Sequence, residues 1–372
     1  MKILLLSDPN SAHTYKWVNA LLANGCRIVL FGVSHYNGKL YDGMQNLEVV
    51  TLGIEEKVLR SGEANLSKLA YLKALPKIKQ IIREFKPDFV HAHSASSYGL
   101  LGALSGFHPF VLSIWGLDIF TFPRISFLHK KLIQYVLGKA DYLLSTSKVM
   151  ADETKLYTSK SVAVTPFGID MSIFKPTKVK RIFGDDDIVI GTIKTLEANY
   201  GIDYLIKAFK ILRERNKELP LRLLIVGRGT QENELKQLAR ELNLNGSVVF
   251  TGAIDYCQVP EYQNMLDISV TLSHFEGFGV STIEACACGK PVVVTNVGGL
   301  AEIVEDNKTG FIVPPADAEA TADSLEKLVQ SKELRERFGG NGLNLVRQKY
   351  YWDDNVRTMM GIYKKVIEDK KK

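Results

Sequence analysis

The chain has 372 residues, of which 46% are hydrophobic and 24% are charged. This length exceeds a single ordinary hydrophobic core and predicts two domains, while the mixed composition excludes disordered and fibrous proteins. The opening apolar run, residues 3–6, is too short for a signal peptide, and no later apolar stretch reaches the roughly 18 residues of a membrane span, so we expect a cytoplasmic protein. The four cysteines fit a reducing compartment and do not form a disulfide framework.

The net charge of +6 is unevenly distributed. Residues 1–170 contain 19 Lys/Arg against 13 Asp/Glu, whereas residues 171–372 contain 28 of each, so the whole excess lies in the first half. The densest basic region, residues 66–86, alternates apolar residues with six cations and predicts two amphipathic helices broken at Pro76. Two interpretations remain open: a surface that meets anionic lipid or a phosphorylated acceptor, or a core-facing helix with a solvated basic face. No nucleic acid partner is expected.

Short apolar segments alternate with helix-length amphipathic stretches along the chain. Six segments lie in the first half, at 2–6, 27–31, 88–92, 109–114, 141–146 and 161–165, and six in the second, at 187–193, 221–227, 247–252, 267–272, 291–295 and 310–314. A punctuated segment, residues 166–176, separates the two sets. This alternation predicts an α/β fold with two Rossmann-like, doubly wound parallel domains that face each other across a cleft at the carboxyl ends of their strands.

Two carboxylates, Glu276 and Glu284, flank a Gly-Phe-Gly segment with seven residues between them. Glycines directly before an amphipathic run place free backbone N–H groups and the positive end of a helix dipole where a diphosphate can bind. Glu284, further along that helix, has the chemistry to accept two hydrogen bonds from a vicinal diol such as a ribose. The segment therefore predicts a site for a sugar nucleotide.

The stretch 276–315 resembles the donor-binding signature of the family-4 retaining glycosyltransferases, the group 1 enzymes of GT-B fold. The similarity continues through Cys-Gly-Lys-Pro-Val-Val at 288–293, Val-Gly-Gly at 297–299 and the turn at 307–315. The resemblance implies that Glu276 binds the transferred sugar and Glu284 the ribose. It assigns the phosphates and part of the sugar to backbone groups that lie between the two carboxylates, at Gly277, Phe278, Gly279 and Val280.

The same resemblance implies a domain division. Residues 1–170 together with 352–372 would form an acceptor-side domain to which the last helix returns, and residues 171–351 would form the donor-binding domain.

A Gly-x-Gly turn, Gly227 and Gly229, follows a predicted strand and raises the alternative of a dinucleotide fold. The third glycine of that fingerprint and its ribose-binding acid are missing, and the resemblance instead places this turn beside the sugar nucleotide. Lys194 ends another strand, where a cation can neutralise the departing diphosphate. The family usually has a second cation near this loop, but Asn199 and Tyr200 stand at that position. We expect no catalytic metal and no cofactor.

The first domain contributes further candidates. His91 and His93 point the same way from one strand, and the resemblance places His93 at the donor sugar. His13 and Lys16 replace glycines that many relatives carry and are candidates for contact with phosphate or acceptor. Asp118 follows another strand and is either an acceptor-side group or a packing and capping residue.

These residues predict a retaining, metal-independent glycosyltransferase. It would move a hexose or N-acetylhexosamine from a nucleoside diphosphate sugar, with uridine as the expected base, to a glycan or polyprenyl-linked acceptor in the synthesis of a surface polysaccharide such as lipopolysaccharide or capsule. Two alternatives remain: a sugar-nucleotide epimerase of the same fold, which would convert the donor without an acceptor, and a non-catalytic partner that binds the nucleotide sugar.

Overall fold

A computed structural model describes residues 1–36, 38–54 and 73–370 of the chain. The chain divides into two compact units, one formed by Met1–Pro166 with Val356–Lys372 and the other by Phe167–Asn355. The predicted boundaries at 170 and 352 are therefore each displaced by a few residues. The cause is a pair of hydrogen bonds within the second unit: Ile169 N donates to Tyr350 O at 2.7 Å, and Trp352 N donates to Ile169 O at 3.1 Å.

The first unit contains a seven-stranded sheet in which every strand pair is parallel, in the order β3-β2-β1-β4-β5-β6-β7. Its strands are β1 (Lys2–Leu6), β2 (Arg27–Ser34), β3 (Leu47–Ile54), β4 (Phe89–His93), β5 (Phe110–Ile114), β6 (Tyr142–Ser145) and β7 (Val162–Val164). The described helices are α1 (Ala12–Ala23), α2 (Ala74–Phe85), α3 (Gly99–Ser105), α4 (Leu117–Phe120), α5 (Phe127–Lys139) and α6 (Lys148–Lys155). A π-helical turn, Ser94–Tyr98, follows β4.

The central strands of this sheet are almost continuously buried, because helices cover both faces of a parallel sheet. All five residues of β4 are buried, for example, including its two histidines. Strand β3 was not predicted from the sequence. It lies at the edge of the sheet and its residues are only partly buried, so its pattern mixes polar with apolar positions.

The basic segment 66–86 is described only in part, since residues 66–72 lie outside the described residues. The remainder forms α2, which continues through Pro76 because proline is tolerated in the first turn of a helix. Its buried face consists of Ala74, Ile78 and Ile81, while Lys77 and Lys79 are exposed. The described part of the segment therefore matches the core-facing interpretation.

The last helix, α14 (Trp352–Lys370), joins the first unit from Val356 onward. Its Tyr363 is buried, with its ring centroid 4.7 Å from that of Phe89 and its hydroxyl 2.7 Å from His91 Nδ1. The end of the chain is thereby fixed to the central strand β4. Across the described residues, none of the helices combines the length and the apolar character that crossing a membrane requires.

The second unit contains a six-stranded parallel sheet in the order β10-β9-β8-β11-β12-β13. Its strands are β8 (Ile188–Ile193), β9 (Leu221–Val226), β10 (Val248–Gly252), β11 (Ile268–Thr271), β12 (Val292–Thr295) and β13 (Gly310–Val313). Its helices are α7 (Ile202–Arg215), α8 (Glu232–Glu241), α9 (Val259–Met265), α10 (Val280–Ala287), α11 (Leu300–Ile303), α12 (Ala318–Gln330) and α13 (Lys332–Lys349). The prediction of two doubly wound parallel domains is confirmed.

Candidate functional site

Two loops of the second unit, after β8 and after β9, lie in direct backbone contact. A Cβ atom added to Gly227 would lie 1.8 Å from Lys194 O, and one added to Gly229 would lie 2.2 Å from Leu196 O. The loops are joined by hydrogen bonds from Lys194 N to Val226 O at 3.0 Å and from Leu196 N to Arg228 O at 2.9 Å. The Gly-x-Gly turn is thus explained by close packing, and its effect is to fix the backbone that carries Lys194.

A second pair of loops fixes the backbone of Glu276. Gly298 has φ +48°, and a Cβ atom there would lie 1.8 Å from Glu276 O. Gly299 N donates to the same carbonyl at 3.1 Å. Upstream, Thr295 Oγ1 donates to Ser273 O at 2.6 Å. The glycines of Val-Gly-Gly, which the sequence analysis treated only as part of a resemblance, therefore position Glu276.

The side chains of Lys194 and Glu276 form an ion pair, with Nζ and Oε2 separated by 2.6 Å and both side chains about 15% exposed. Ser273 Oγ donates to the same carboxylate oxygen at 3.2 Å. The Lys194 ammonium also lies 4.7 Å from the ring centroid of Tyr200, within cation–π range. The two residues predicted to bind the diphosphate and the sugar are thus paired with each other.

Asn199 and Tyr200 occupy the position where the family usually has a second cation. Asn199 Nδ2 donates to Phe275 O at 2.8 Å, and His274 N donates to Asn199 O at 2.7 Å. Asn199 therefore anchors the loop that leads to Glu276, while Tyr200 contacts the Lys194 ammonium. Neither residue supplies a charge to the site.

Helix α10 begins at Val280, after Gly279 with φ +104°. In the described part of the chain, the N–H groups of residues 278–281 donate to no protein acceptor. Phe278 itself is buried, with ring centroids 5.9 Å from Phe167 and 5.6 Å from Tyr350, so its side chain belongs to the core and only its amide is available. Ser281 Oγ is also buried and unpaired among the described residues. These donors form a site suited to an anion at the amino end of the helix.

Glu284 lies in the second turn of α10 and is 5% exposed. Tyr256, which the sequence analysis did not consider, donates its hydroxyl to Glu284 Oε1 at 3.4 Å. The two oxygens of a carboxylate can accept about four hydrogen bonds, so Glu284 can bind more than one donor at a time. The geometry accordingly allows Glu284 to accept hydrogen bonds from hydroxyl groups of a ligand. No pattern in the sequence singled out Tyr256, since it lies in a separate loop.

An Asp-x-Asp pair, Asp185 and Asp187, precedes β8, and its second member is held by protein donors. Asp187 accepts from Arg222 Nε at 3.0 Å and from Gly184 N at 2.8 Å. Over the described residues, no group of three or more His, Cys, Asp or Glu side chains is arranged to hold a metal ion.

The first unit brings His13 and His93 together around Trp115. The His93 ring stacks on Trp115 with centroids 3.8 Å apart, and the His13 ring meets the same indole edge-on at 6.1 Å. His93 Nδ1 is 2.9 Å from Ser7 Oγ, which in turn contacts Thr14 Oγ1 at 2.7 Å. Burial holds the pKa of His93 well below its usual range and lowers the pKa of His13 to about 4. Both imidazoles are therefore neutral at pH 7. Trp115 was missed because a lone tryptophan after a strand carries no motif.

His91 is a structural residue of the first unit. Its Nδ1 lies 2.7 Å from the Tyr363 hydroxyl and its Nε2 lies 2.8 Å from Ser113 Oγ, so both ring nitrogens are occupied. Burial lowers its pKa to about 3. The choice of His93 over His91 as the ligand-facing histidine is consistent with this arrangement, because the described residues provide a hydrogen bond only to Nδ1 of His93.

Asp118 and Lys16 have different surroundings. Asp118 is buried; its Oδ2 accepts from Ala95 N and its Oδ1 accepts from Gly116 N at 3.0 Å. Burial raises its pKa to about 6. These bonds fix the start of the π-helical turn after His93, which favours the capping interpretation over acceptor contact. Lys16 is half-buried on α1, and its charge contributes to the lowered pKa of His13.

Family models and known proteins match this chain over most of its length. Residues 174–344 match the family model described as glycosyl transferases group 1, and residues 2–147 match the model described as glycosyl transferase 4-like. Among curated proteins, the capsular polysaccharide biosynthesis glycosyltransferase CapM of Staphylococcus aureus is 28% identical over 326 residues, which cover 80% of this chain and 83% of CapM. Two further relatives are 31% identical, the uncharacterized glycosyltransferase MJ1607 of Methanocaldococcus jannaschii and the D-inositol 3-phosphate glycosyltransferase of Actinosynnema mirum, and this chain spans only 52% and 58% of their lengths.

Two solved structures share the fold. Sucrose-phosphate synthase from Thermosynechococcus elongatus aligns with a TM-score of 0.86 at 21% identity, over 99% of this chain and 100% of that chain. Anabaena HepE in complex with UDP-glucose aligns with a TM-score of 0.79 at 20% identity, over 98% of this chain and 100% of that chain. These structural matches show the GT-B fold, and the two family models, which follow one another along most of the sequence, show that the chain belongs to the group 1 glycosyltransferases.

Proposed function

We propose that the protein is a retaining glycosyltransferase that uses a nucleoside diphosphate sugar, with UDP as the nucleotide, and needs no metal ion. The observation that carries the proposal is the Lys194–Glu276 ion pair, at 2.6 Å, in the same unit as the unpaired N–H groups of residues 278–281. A cation and a set of oriented amides are the groups that stabilise a departing diphosphate. The likeness to a protein solved with UDP-glucose supports the choice of UDP.

The proposed reaction begins with an exchange of partners. When the donor binds, its diphosphate takes the place of Glu276 beside Lys194, and the released Glu276 carboxylate accepts hydrogen bonds from hydroxyls of the sugar. The bond between sugar C1 and the diphosphate oxygen then breaks, and a bond from C1 to the acceptor oxygen forms on the same face. The acceptor proton passes to the leaving diphosphate. Lys194 and the amides of residues 278–280 stabilise the charge that develops on the diphosphate.

In this proposal Glu284 holds the ribose, and Gly227, Gly229 and Gly277 shape the backbone around the nucleotide. The neutral imidazole of His93 contacts the donor sugar, and His13 and Lys16 contact the phosphate or the acceptor. The transferred sugar is a hexose or N-acetylhexosamine, and the acceptor is a glycan or a polyprenyl-linked glycan. The similarity to a capsule glycosyltransferase supports a role in surface polysaccharide synthesis. We place the reaction in the cytoplasm, at the inner face of the plasma membrane.

A panel of UDP-, GDP- and ADP-linked sugars tests this function through release of free nucleotide. We expect slow release from a UDP-hexose or UDP-N-acetylhexosamine alone, faster release with acceptor, and an α-linked product from an α-linked donor. The Glu276→Gln protein is the control for contaminating activity. Conversion of the donor to another sugar nucleotide without acceptor would identify an epimerase, and binding without release would identify a non-catalytic partner.

A further inference from the structure

Helix α5 of the first unit presents an exposed row of aromatic and lysine side chains. Phe127, Lys131, Tyr135 and Lys139 recur at intervals of four residues, so they lie on one face of the helix. Phe127 is 70% and Tyr135 41% exposed, and both lysines are exposed. The Lys131 ammonium lies 5.4 Å from the Phe127 ring centroid, and that of Lys139 lies 5.7 Å from the Tyr135 centroid. We call these four residues the aromatic–lysine stripe.

The stripe continues into an apolar tip at the start of the helix. Ile125 and Leu128 are 64% and 77% exposed and stand beside the exposed Phe127 in the sequence, so the three form a local apolar cluster. The opposite face of α5 is buried through Ile133, Val136 and Leu137. The helix is therefore packed normally on one side, and its other side exposes apolar area of the kind that marks an interaction surface.

Charge indicates what covers this surface. No acidic residue occurs between Asp118 and Asp141, whereas that interval contains Arg124, Lys130, Lys131 and Lys139. Arg124 is neutralised by Glu153 at 2.6 Å, but both lysines of the stripe have aromatic neighbours on their own helix. Aromatic rings with lysines between them suit a boundary where acyl chains meet anionic headgroups. A protein partner of this unit would have to supply acidic and apolar groups in the same alternation.

We propose that the aromatic–lysine stripe and its tip, Ile125 and Leu128, attach the first unit to an anionic lipid surface. This inference deepens the proposed function, since a polyprenyl-linked acceptor lies in a membrane. Helix α5 packs on the π-helical turn that follows His93, so the lipid surface would lie near the acceptor-side groups of this unit. The sequence had suggested residues 66–86, and not this helix, as one candidate for lipid contact.

Sedimentation with vesicles tests the proposal. We expect native protein to bind vesicles of phosphatidylcholine with phosphatidylglycerol at low salt, to bind less as salt rises, and not to bind pure phosphatidylcholine. Phe127→Ser/Leu128→Ser should weaken binding by about tenfold or more. The matched control Leu156→Ser/Ile173→Ser replaces side chains that are 66% and 50% exposed elsewhere, and should bind like the native protein.

Other outcomes overturn the proposal. The first is that the native protein does not bind anionic vesicles at low salt. The second is that the Phe127→Ser/Leu128→Ser protein binds vesicles as well as the native protein does. The third is that the native protein is a dimer that does not bind vesicles and that this double substitution dissociates. If the double serine variant does not fold, Lys131→Glu/Lys139→Glu provides the same test. UDP binding and nucleotide release, measured in solution without vesicles, report the proposed function separately, so failure of one does not imply failure of the other.

Discussion

The candidate residues of the two units follow strands of similar parallel sheets but differ in charge. In the second unit they form an ion pair, Lys194–Glu276, and the nearby N–H groups of residues 278–281 donate to no acceptor among the described residues. In the first unit the two candidate histidines are neutral rings, of which His93 stacks on Trp115 and His13 meets it edge-on, and Lys16 is the charged candidate. A charged set of groups can stabilise a diphosphate, whereas a neutral, aromatic set can orient sugar rings and hydroxyls without attracting phosphate. From this comparison we propose that the second unit supplies the main charge that stabilises the leaving diphosphate, with Lys16 of the first unit as a further candidate.

The largest effect is expected from removing the cation of the second unit. Lys194→Ala should lower the rate of nucleotide release by about two orders of magnitude, because the diphosphate then departs without its counter-charge. The matched control is Lys207→Ala on α7, since Lys207 also pairs with a carboxylate, Asp203 at 2.8 Å, and lies 4.5 Å from a tyrosine ring. Single-turnover kinetics should show full activity for the control. Near-native activity of Lys194→Ala would assign the charge to another residue, with Lys16 the next to test.

A smaller effect is expected from displacing the Glu276 backbone. Gly298→Ala forces a Cβ atom to within 1.8 Å of Glu276 O, so the loop must move. A shift of this kind should lower turnover by roughly tenfold or more. Gly340→Ala on α13 is the control, since a Cβ atom there meets no atom within 4 Å. Its activity should be native and its stability unchanged or higher. Equal kcat values for the two variants would show that Val-Gly-Gly does not position the site.

The neutral histidines of the first unit predict a dependence of stability on pH. The folded pKa values of His91 and His13, about 3 and about 4, lie below the unfolded value near 6.5. As pH falls from 7 to about 5.5, the unfolded chain gains protons that the folded chain does not, so each histidine lowers the free energy of unfolding by about 1 kcal/mol. Asp118, whose folded pKa is raised to about 6, has the opposite sign and offsets part of this loss.

Urea unfolding of native protein and His91→Asn at the two pH values measures this effect. The variant should be less stable at pH 7, because it loses contacts with Tyr363 and Ser113. It should nevertheless lose about 1 kcal/mol less than the native protein between pH 7 and 5.5. Identical losses in the two proteins would show that His91 does not titrate differently on unfolding.

The sequence predicted most of the strands, because each depends on a local pattern, and it singled out Glu276 and Glu284, whose binding roles stay predictions. Continuous apolar segments specify buried parallel strands. Glu276 and Glu284 flank a glycine-containing segment, so the whole motif lies within nine consecutive residues. The sequence did not predict β3, because an edge strand mixes polar with apolar residues. It also did not predict the contacts of Tyr256 and Trp115 with the candidate residues, because these contacts form only through tertiary packing. Nor could it show that Lys194 and Glu276, 82 positions apart, form an ion pair. The exposed face of α5 was also missed, because exposure is not encoded in spacing alone.

The central claim is that the Glu276 carboxylate pairs with the Lys194 ammonium until the donor diphosphate takes its place, whereas Glu284 binds the ribose of the nucleoside. Calorimetric titration of UDP into native, Glu276→Gln and Glu284→Gln proteins tests it most directly. Glu284→Gln should weaken binding by roughly tenfold to a hundredfold, because a buried carboxylate loses its charge-assisted hydrogen bonds to the ribose. Glu276→Gln should bind UDP as tightly as the native protein or more tightly, because Lys194 is released from its ion pair. Equal affinities in all three proteins, or a Glu276→Gln protein weakened as much as Glu284→Gln, would contradict this account.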